Sequence, residues 1–311
     1  MTDNSIYISM VTTVYKSEKF LNEFIDNCIE SLNKINCVNY ELIFVNDGSP
    51  DASLDILLSK KEVIPGLKIL NLSRNFGHHY AALAGLNYSS GEYVFLIDCD
   101  LEVQPQILIK FYEKILNNNV DVVYGYQEKR GGGILSKITG NLFWYLINLL
   151  SDFSIPSNII TERLMKRKYV ESLLKLGDKN LFLGGMMYWT GYVQIGLSVN
   201  KKKRSGKFAY SFFDRLRLML EAITSFSTFP LKVMFYFGLS LSSMSFCCGL
   251  LMIIRKLIWP EEFLSGYVST IIIVVFFSGI TEVSIGLLGI YIGRIYKQVQ
   301  NRPLYIVKDI Y

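Results

Sequence analysis

Two aspartates two residues apart, Asp98 and Asp100, follow the apolar run Val94-Phe95-Leu96-Ile97. A short apolar run bounded by turn signals reads as a buried strand, so the two carboxylates fall where that strand ends. On a continuing strand they share a face; at a strand end the backbone can turn both toward one point. Two hard oxygen ligands converging there suit Mg²⁺ or Mn²⁺ that also holds a substrate phosphate. A lone Asp-x-Asp is more often only the polar loop after a core strand. The neighbouring elements therefore carry the weight.

For these aspartates to converge on a ligand, the chain around them must bring other strand ends to the same edge. Ile6–Val14 is β-rich and predicts a first strand. From Glu18 to Leu32, apolar residues at Phe20, Leu21, Phe24, Ile25, Cys28, Ile29 and Leu32 have the spacing of an amphipathic helix. Leu42–Val45 predicts a second strand, ending at Asn46-Asp47-Gly48-Ser49-Pro50-Asp51, where Asp51 can cap a helix through Leu54, Leu57 and Leu58. Leu67–Leu72 predicts a strand, Gly77–Leu86 an alanine-rich helix and Val120–Tyr124 another strand. Strands alternating with helices imply an α/β fold: a parallel sheet covered on both faces, with ligands at the carboxyl ends of its strands. Three polar clusters fall at such ends: Thr13/Tyr15, Asn46/Asp47 and Asp98/Asp100. That coincidence favours the cation site over the bare loop. His78 and His79 invite a metal reading too, but adjacent helical residues point about 100° apart and chelate poorly together. A structural or ligand-contact role suits them better.

Half of the 311 residues are hydrophobic, and the formal charge of +5 is unevenly spread. Residues 1–125 carry 9 Lys/Arg against 16 Asp/Glu (−7), residues 126–232 carry 17 against 7 (+10), and residues 233–311 carry 6 against 4 (+2). A basic middle fits phosphates or an anionic membrane surface; nucleic acid competes for it, and the hydrophobic tail makes membrane the better fit. The five cysteines are scattered with no C-x-x-C spacing, which argues against a disulfide framework or zinc site and suits a reducing compartment. No signal-peptide pattern opens the chain, so the first hundred residues are expected in the cytoplasm.

Beyond the alternating half, Gly131-Gly132-Gly133 reads as a joint and not a phosphate loop, and Leu135–Leu150 predicts a helix. Ser211–Phe226 places Phe212, Leu216, Met219, Leu220 and Ile223 on one side, as a core helix or an interfacial membrane helix. Val233–Ile254 and Val268–Ile292 predict two transmembrane helices; the first is roughly 33 Å long against a hydrocarbon core of about 30 Å. Basic residues before the first span (Arg215, Arg217, Lys232) and after the second (Arg294, Lys297, Arg302, Lys308) put both ends in the cytoplasm. Glu282 lies within the second span, where a charge costs roughly 2.5–3.5 kcal/mol, so a part in helix association or lipid contact is expected of it.

The ordered set Thr13-Val14-Tyr15, Asn46-Asp47-Gly48-Ser49, Ser73-Arg74-Asn75-Phe76-Gly77, Asp98-Cys99-Asp100-Leu101 and Phe226-Ser227-Thr228-Phe229-Pro230-Leu231 resembles glycosyltransferase family 2. Within it the chain is most similar to the polyprenyl-phosphate branch, which includes dolichyl-phosphate mannose synthases and bactoprenol glucosyltransferases. The tail Gly289–Tyr296 with Arg302-Pro303 also looks like that branch. The resemblance implies a GT-A (Rossmann-like) domain that takes a sugar from a nucleotide sugar and passes it to a lipid phosphate at the membrane surface. By the same resemblance Thr13, Tyr15, Asp47 and Arg74 line the nucleotide sugar, with Asp47 at the uracil ring. Asp98 and Asp100 match the metal and diphosphate motif. Arg130, Arg163, Arg204 and Tyr210 fall near positions for donor and acceptor phosphates; Lys203, in the basic run beside Arg204, joins them as a lipid-phosphate candidate, and Asp98, Asp100, Arg204 and Glu162 are the catalytic candidates. Three departures stand out. Asn46 replaces the first Asp of D-D-G-S, and Lys16 stands where Asn is common. In Ile160-Thr161-Glu162-Arg163-Leu164, where the family often reads G-D-F-R-L, the acid comes one residue late, which on an extended segment reverses its direction.

The acceptor implied here explains how transfer can dispense with a base. A phosphate monoester with a second pKa of about 6 is largely dianionic at pH 7 and can attack unaided, whereas a sugar hydroxyl needs a carboxylate to take its proton. Lys201-Lys202-Lys203-Arg204, with Lys207, could hold that phosphate, and a single displacement inverts the anomeric centre. The resulting expectation is a GT-A domain at 1–210, an amphipathic interfacial region at 211–232, a two-helix hairpin at 233–293 and a cytoplasmic tail at 294–311. Such a chain is a multi-pass protein of the bacterial inner membrane with its catalytic domain in the cytoplasm. Its partners are a nucleotide-sugar donor (UDP-linked by Asp47), undecaprenyl phosphate, membrane lipids and a second copy through the transmembrane helices, with no nucleic acid. A membrane glycosyltransferase acting on another lipid or glycan, or a catalytically silent scaffold of the same fold, are the alternatives.

Overall fold

A computed structural model describes residues 7–128, 156, 158–179, 181, 183–201, 229–258 and 267–311. The predicted strands at Ile8–Val14 (β1), Tyr40–Asn46 (β2), Leu67–Leu72 (β3), Tyr93–Leu96 (β4) and Val122–Tyr126 (β5) all form. Three more join them: Ile159–Lys166 (β6), Gln194–Ser198 (β7) and Val307–Ile310 (β8). They make one sheet in the order β7-β5-β6-β4-β1-β2-β3-β8. The four central strands, β4, β1, β2 and β3, are parallel. The all-parallel expectation fails at the flanks, where β6 runs antiparallel to both β4 and β5, and β8 antiparallel to β3. The reason is connectivity. An antiparallel neighbour needs no crossover: β6 follows β5 and runs back beside it, and β8 enters beside β3 from the opposite end.

Helices cover both faces. On one lie Leu21–Lys34 (α1), Ser53–Lys61 (α2) and Ile107–Asn118 (α4), whose Phe24, Leu57 and Phe111 pack on Ile8, Phe44 and Phe95. On the other lie His78–Tyr88 (α3), Arg167–Leu174 (α5) and Leu183–Trp189 (α6), whose Ala82, Tyr169 and Met187 join the core of Val11, Val45 and Leu96. The amphipathic pattern in the sequence is the buried face of α1: Leu21, Phe24, Ile25, Cys28 and Leu32 are all enclosed. Burial of such side chains is worth about 1.5–3 kcal/mol each. α3 instead packs by small residues. A side chain at Gly85 would run into Val11 and Val45, so glycine lets this helix lie close on the sheet and brings its first turn to the strand ends.

Both predicted spans are helical, as Phe229–Ile258 (α7) and Tyr267–Gln300 (α8), about 45 and about 51 Å long. Among the described residues one stretch is long and apolar enough to cross a bilayer: Phe276–Gln300, 25 residues of mean hydropathy 1.5, none of it buried in the protein. The described apolar part of α7, Phe229–Leu241, is shorter than the ~20 residues a span requires. The expected pair of transmembrane helices, and with it the multi-pass topology, is therefore represented by one qualifying span. The expected tail 294–311 also changes character, because α8 continues to Gln300 and β8 joins the catalytic sheet. The predicted Gly131–Gly133 joint and the helices at Leu135–Leu150 and Ser211–Phe226 lie outside the described residues.

Candidate active site

The carboxyl ends of β1, β2, β3 and β4 share one edge of the sheet. Val14 pairs with Asn46 and Val11 with Leu96, so Thr13–Tyr15, Asn46–Asp47 and Asp98–Asp100 emerge side by side. α3 starts at this edge too. His78 Nδ1 lies 2.9 Å from Thr13 Oγ1, and its Nε2 lies 3.5 Å from Asp98 Oδ1, so one imidazole joins the β1 and β4 clusters. His79 turns elsewhere, to the carbonyl of Leu181 at 3.4 Å, and burial together with the neighbouring His78 lowers its pKa. The two histidines do not converge, as their spacing requires.

Asp47 is buried, and its two carboxylate oxygens accept the backbone N–H groups of Phe76 (2.7 Å) and Gly77 (2.9 Å). Burial pushes its carboxyl up against the pull of those two donors. The residue expected at the uracil ring is seen to hold the loop that carries Arg74, whose guanidinium stacks on Phe76 with Cζ 4.1 Å from the ring centroid. Gly48 makes the approach of that loop workable. It has φ +61°, and a Cβ there would lie 2.6 Å from the backbone of Arg74 and Asn75. Next to exposed Tyr15, Lys16 has φ 54°, a left-handed conformation that asparagine tolerates better than lysine, which gives a physical reason for the asparagine of the resemblance.

Asp98 and Asp100 diverge from the core, which receives Cys99 instead. The Cys99 thiol lies 3.1 Å from both the Thr13 carbonyl and Ser17 Oγ, and burial pushes it up to about 12. Asp100 Oδ1 accepts from the backbone of Glu102 at 3.0 Å, while buried Asp98 Oδ1 makes no hydrogen bond among the described residues and has only the 3.5 Å approach of His78 Nε2. A carboxylate oxygen with no hydrogen bond, in a set of hard oxygen donors, fits Mg²⁺ or Mn²⁺. Among the described residues no group of three or more His, Cys, Asp or Glu forms a cage, so these two aspartates would share the ion with ligands from outside that set.

His78, 3.5 Å from Asp98, also lines a cavity of about 330 Å³ together with Leu96, Thr161, Arg163, Met187 and Lys201 among others; Asp98 and Asp100 are not in its wall. The β4–β6 register pairs Leu96 with Arg163, which turns Thr161 and Arg163 into the cavity and leaves Glu162 between them facing the other way. Glu162 is fully buried, and among the described residues neither oxygen is hydrogen-bonded; burial and the charge of Asp98 push its carboxyl up to about 7, and Lys201 opposes them. Arg163 is 2% exposed, donates to the Ile160 carbonyl at 3.3 Å, and has its pKa lowered by burial. Expected at a lipid phosphate, it is a buried cation in the cavity wall. Lys201 reaches Glu102 at 3.4 Å; burial opposes its charge, but the carboxylates of Glu162, Asp98 and Glu102 hold its ammonium above the ordinary value. Arg130, Lys203, Arg204 and Tyr210 lie outside the described residues. The bridging role of His78 is what sequence reasoning missed. Its one legible signal is its place just after the carboxyl end of the third strand.

Residues 9–174 match the family model described as glycosyl transferase family 2. The Bacillus subtilis glycosyltransferase YkcC is 36% identical over 308 residues, spanning 98% of this chain and 94% of its own. A prophage-derived bactoprenol glucosyl transferase of Shigella flexneri is 35% identical over 303 residues, 97% of each chain. A prophage bactoprenol glucosyl transferase homolog of Escherichia coli K12 is 33% identical over 305 residues, 97% of this chain and 99% of its own. The mixed α/β sheet, with its acidic strand ends, is GT-A-like. The chain is a glycosyltransferase and belongs to glycosyl transferase family 2.

Proposed function

We propose that this enzyme moves a sugar from a nucleotide sugar, UDP-linked, to a polyprenyl phosphate such as undecaprenyl phosphate on the cytoplasmic leaflet, with inversion and with help from a divalent metal. One observation carries the reading. An acidic strand end, whose Asp98 Oδ1 makes no hydrogen bond among the described residues, is linked by His78 to a cavity whose wall holds two cations, Arg163 and Lys201. Likeness over nearly the full chain to bactoprenol glucosyl transferases, and the long apolar helix α8, support the lipid acceptor. The anchor in this reading is the α7–α8 pair, with both helices in the membrane.

In this reading Thr13, Tyr15, Asp47 and Arg74 bind the nucleotide, and His78 keeps Asp98 in line with the β1 cluster. A cation at Asp98 and Asp100, when bound, offsets the charge of the departing nucleoside diphosphate. Arg163 and Lys201, with the basic residues 202–204, draw in the acceptor phosphate. One of its oxygens attacks the anomeric carbon as the bond from that carbon to the donor diphosphate breaks, and the diphosphate leaves with the electron pair. No proton needs removing from a dianionic phosphate, so Glu162 is not the base. An α-linked donor yields a β-linked lipid-phosphate sugar.

Membranes holding the enzyme, supplied with undecaprenyl phosphate and a panel of radiolabelled nucleotide sugars, test this directly. Label should pass into a lipid with inverted configuration for one donor, and Asp100→Asn should abolish transfer in a protein that still folds. Retained configuration, or activity surviving that substitution, refutes the reading.

A further inference from the structure

The chain does not trail away after α8. Ile69 exchanges backbone hydrogen bonds with Tyr311, 3.0 Å each way, and the N–H of Ser73 donates to the Ile306 carbonyl at 3.0 Å. Ser73 opens the loop whose Phe76 and Gly77 hold Asp47, so the C-terminal strand already touches the donor side of the site. A second tie runs through side chains. Asp309, whose carboxylate can only accept, takes the Nδ2–H of Asn71 at 3.1 Å. That orientation turns the Asn71 carbonyl inward, where Asn46 Nδ2 donates to it at 2.9 Å. The Asn46 carbonyl is left facing the next turn and accepts the backbone N–H of Ser49 at 3.3 Å. Ser49 Oγ in turn accepts from the backbone of Lys16 at 2.7 Å and donates to Asp51 at 2.5 Å. Asn46 and Asn71 are buried, 2% and 7% exposed, so neither has water to substitute for a lost partner.

Every link has a fixed direction, and Asp309 sets it. This accounts for the asparagine at 46, where the resemblance has aspartate. With Asn71 committed to Asp309, an aspartate at 46 would aim its carboxylate at the Asn71 carbonyl, two acceptors with no hydrogen between them.

We propose that Asp309 is a positioning residue for the nucleotide-sugar donor, directing a hydrogen-bond relay through Asn71 and Asn46 to the Ser49 backbone that orders the nucleotide end of the pocket. The proposal rests on the donor site read above at Thr13, Tyr15 and Asp47. It places a dependence on the C-terminal strand, at the far end of the long helices, in the binding of a soluble substrate.

Full-length enzyme in detergent tests it through Asn46→Asp, Asp309→Asn and the double variant, by UDP binding, donor and lipid kinetics, and melting temperature. Asn46→Asp should weaken UDP binding and raise the donor KM on the order of tenfold, the penalty of one buried unpaired acceptor, with kcat and the lipid KM little changed. Asp309→Asn alone removes the fixed direction, because an amide there can either accept from or donate to Asn71, and it should raise the donor KM by a smaller factor than Asn46→Asp does. In the double variant the relay reverses: the amide at 309 donates to the Asn71 carbonyl, and Asn71 donates to the carboxylate at 46, which still accepts from Ser49. Donor affinity should then recover most of its loss. A residue that only stabilised the fold would give additive losses in melting temperature and no recovery of KM. Wild-type KM in Asn46→Asp, or a double variant as weak as Asn46→Asp, overturns the relay while wild-type UDP binding leaves the donor site standing. Failure of the wild-type enzyme to bind UDP overturns both.

Discussion

At the scale of single residues, three acids at one strand edge have different work because of what each already holds. Asp47 spends both oxygens on backbone N–H groups and shapes a loop, whereas Asp98 Oδ1 makes no hydrogen bond among the described residues and meets only His78 Nε2, at 3.5 Å. Glu162, one position off the expected acid, lies behind the cavity wall and not in it. Magnitude decides whether it acts as a base. General-base catalysis contributes about 10²–10⁴-fold, so Glu162→Gln should retain turnover within roughly tenfold if the acceptor is a phosphate dianion. Steady-state kcat on undecaprenyl phosphate checks this, and a loss of several orders of magnitude would assign Glu162 the proton transfer.

Elements bring these residues together through turns that tolerate little change. Gly48→Ala puts a side chain at positive φ against the backbone of Arg74 and Asn75, where neither neighbour is a flexible side-chain end. It should cost upwards of about 1 kcal/mol and loosen the Arg74 loop, seen as a lower melting temperature together with weaker nucleotide binding. Below the site, Glu41 staples β2 to β3 and to the turn before β4, through Lys68 at 2.5 Å, Ser9 Oγ at 2.6 Å and the backbone of Ser90 at 2.6 Å. Burial favours its neutral form, but these donors outweigh burial and hold the carboxyl below its ordinary value. A lowered folded pKa means its contribution is complete above the unfolded value of about 4.3 and disappears as pH falls through the folded one. Glu41→Gln should therefore lose about 2 kcal/mol at pH 7 and flatten the acid limb of stability against pH. Denaturant melts across that limb are the measurement, and parallel curves for the two proteins would contradict the assignment.

The whole molecule joins a soluble-type sheet to helices whose apolar side chains face outward. Phe235, Val283 and Ile292 are each more than 60% exposed, and nothing in the sheet covers them. Such surface is stable only against lipid or another apolar face. The protein should therefore stay with membranes through a carbonate wash and leave only with detergent, where release by salt alone would mean a merely electrostatic attachment. Glu282 stands exposed on α8 amid this surface. If it meets a second copy of the chain, Glu282→Gln should reduce cross-linked dimer without altering nucleotide binding.

Sequence alone determined the elements that depend on near neighbours. Apolar runs and helical periodicity marked β1 to β5, α1 to α3 and the two long helices, and the polar ends of three strands marked the site edge. These are local properties, set by backbone geometry and by which face must leave water. Tertiary structure decided what rests on distant contact: the antiparallel entries of β6 and β8, the reach of His78 from Thr13 to Asp98, and the loop-holding duty of Asp47. Asn71 and Asp309 are 238 residues apart, and no spacing rule pairs them. Only when the chain has left the sheet, run through both long helices and returned as an edge strand does a carboxylate meet that amide and set which way it faces.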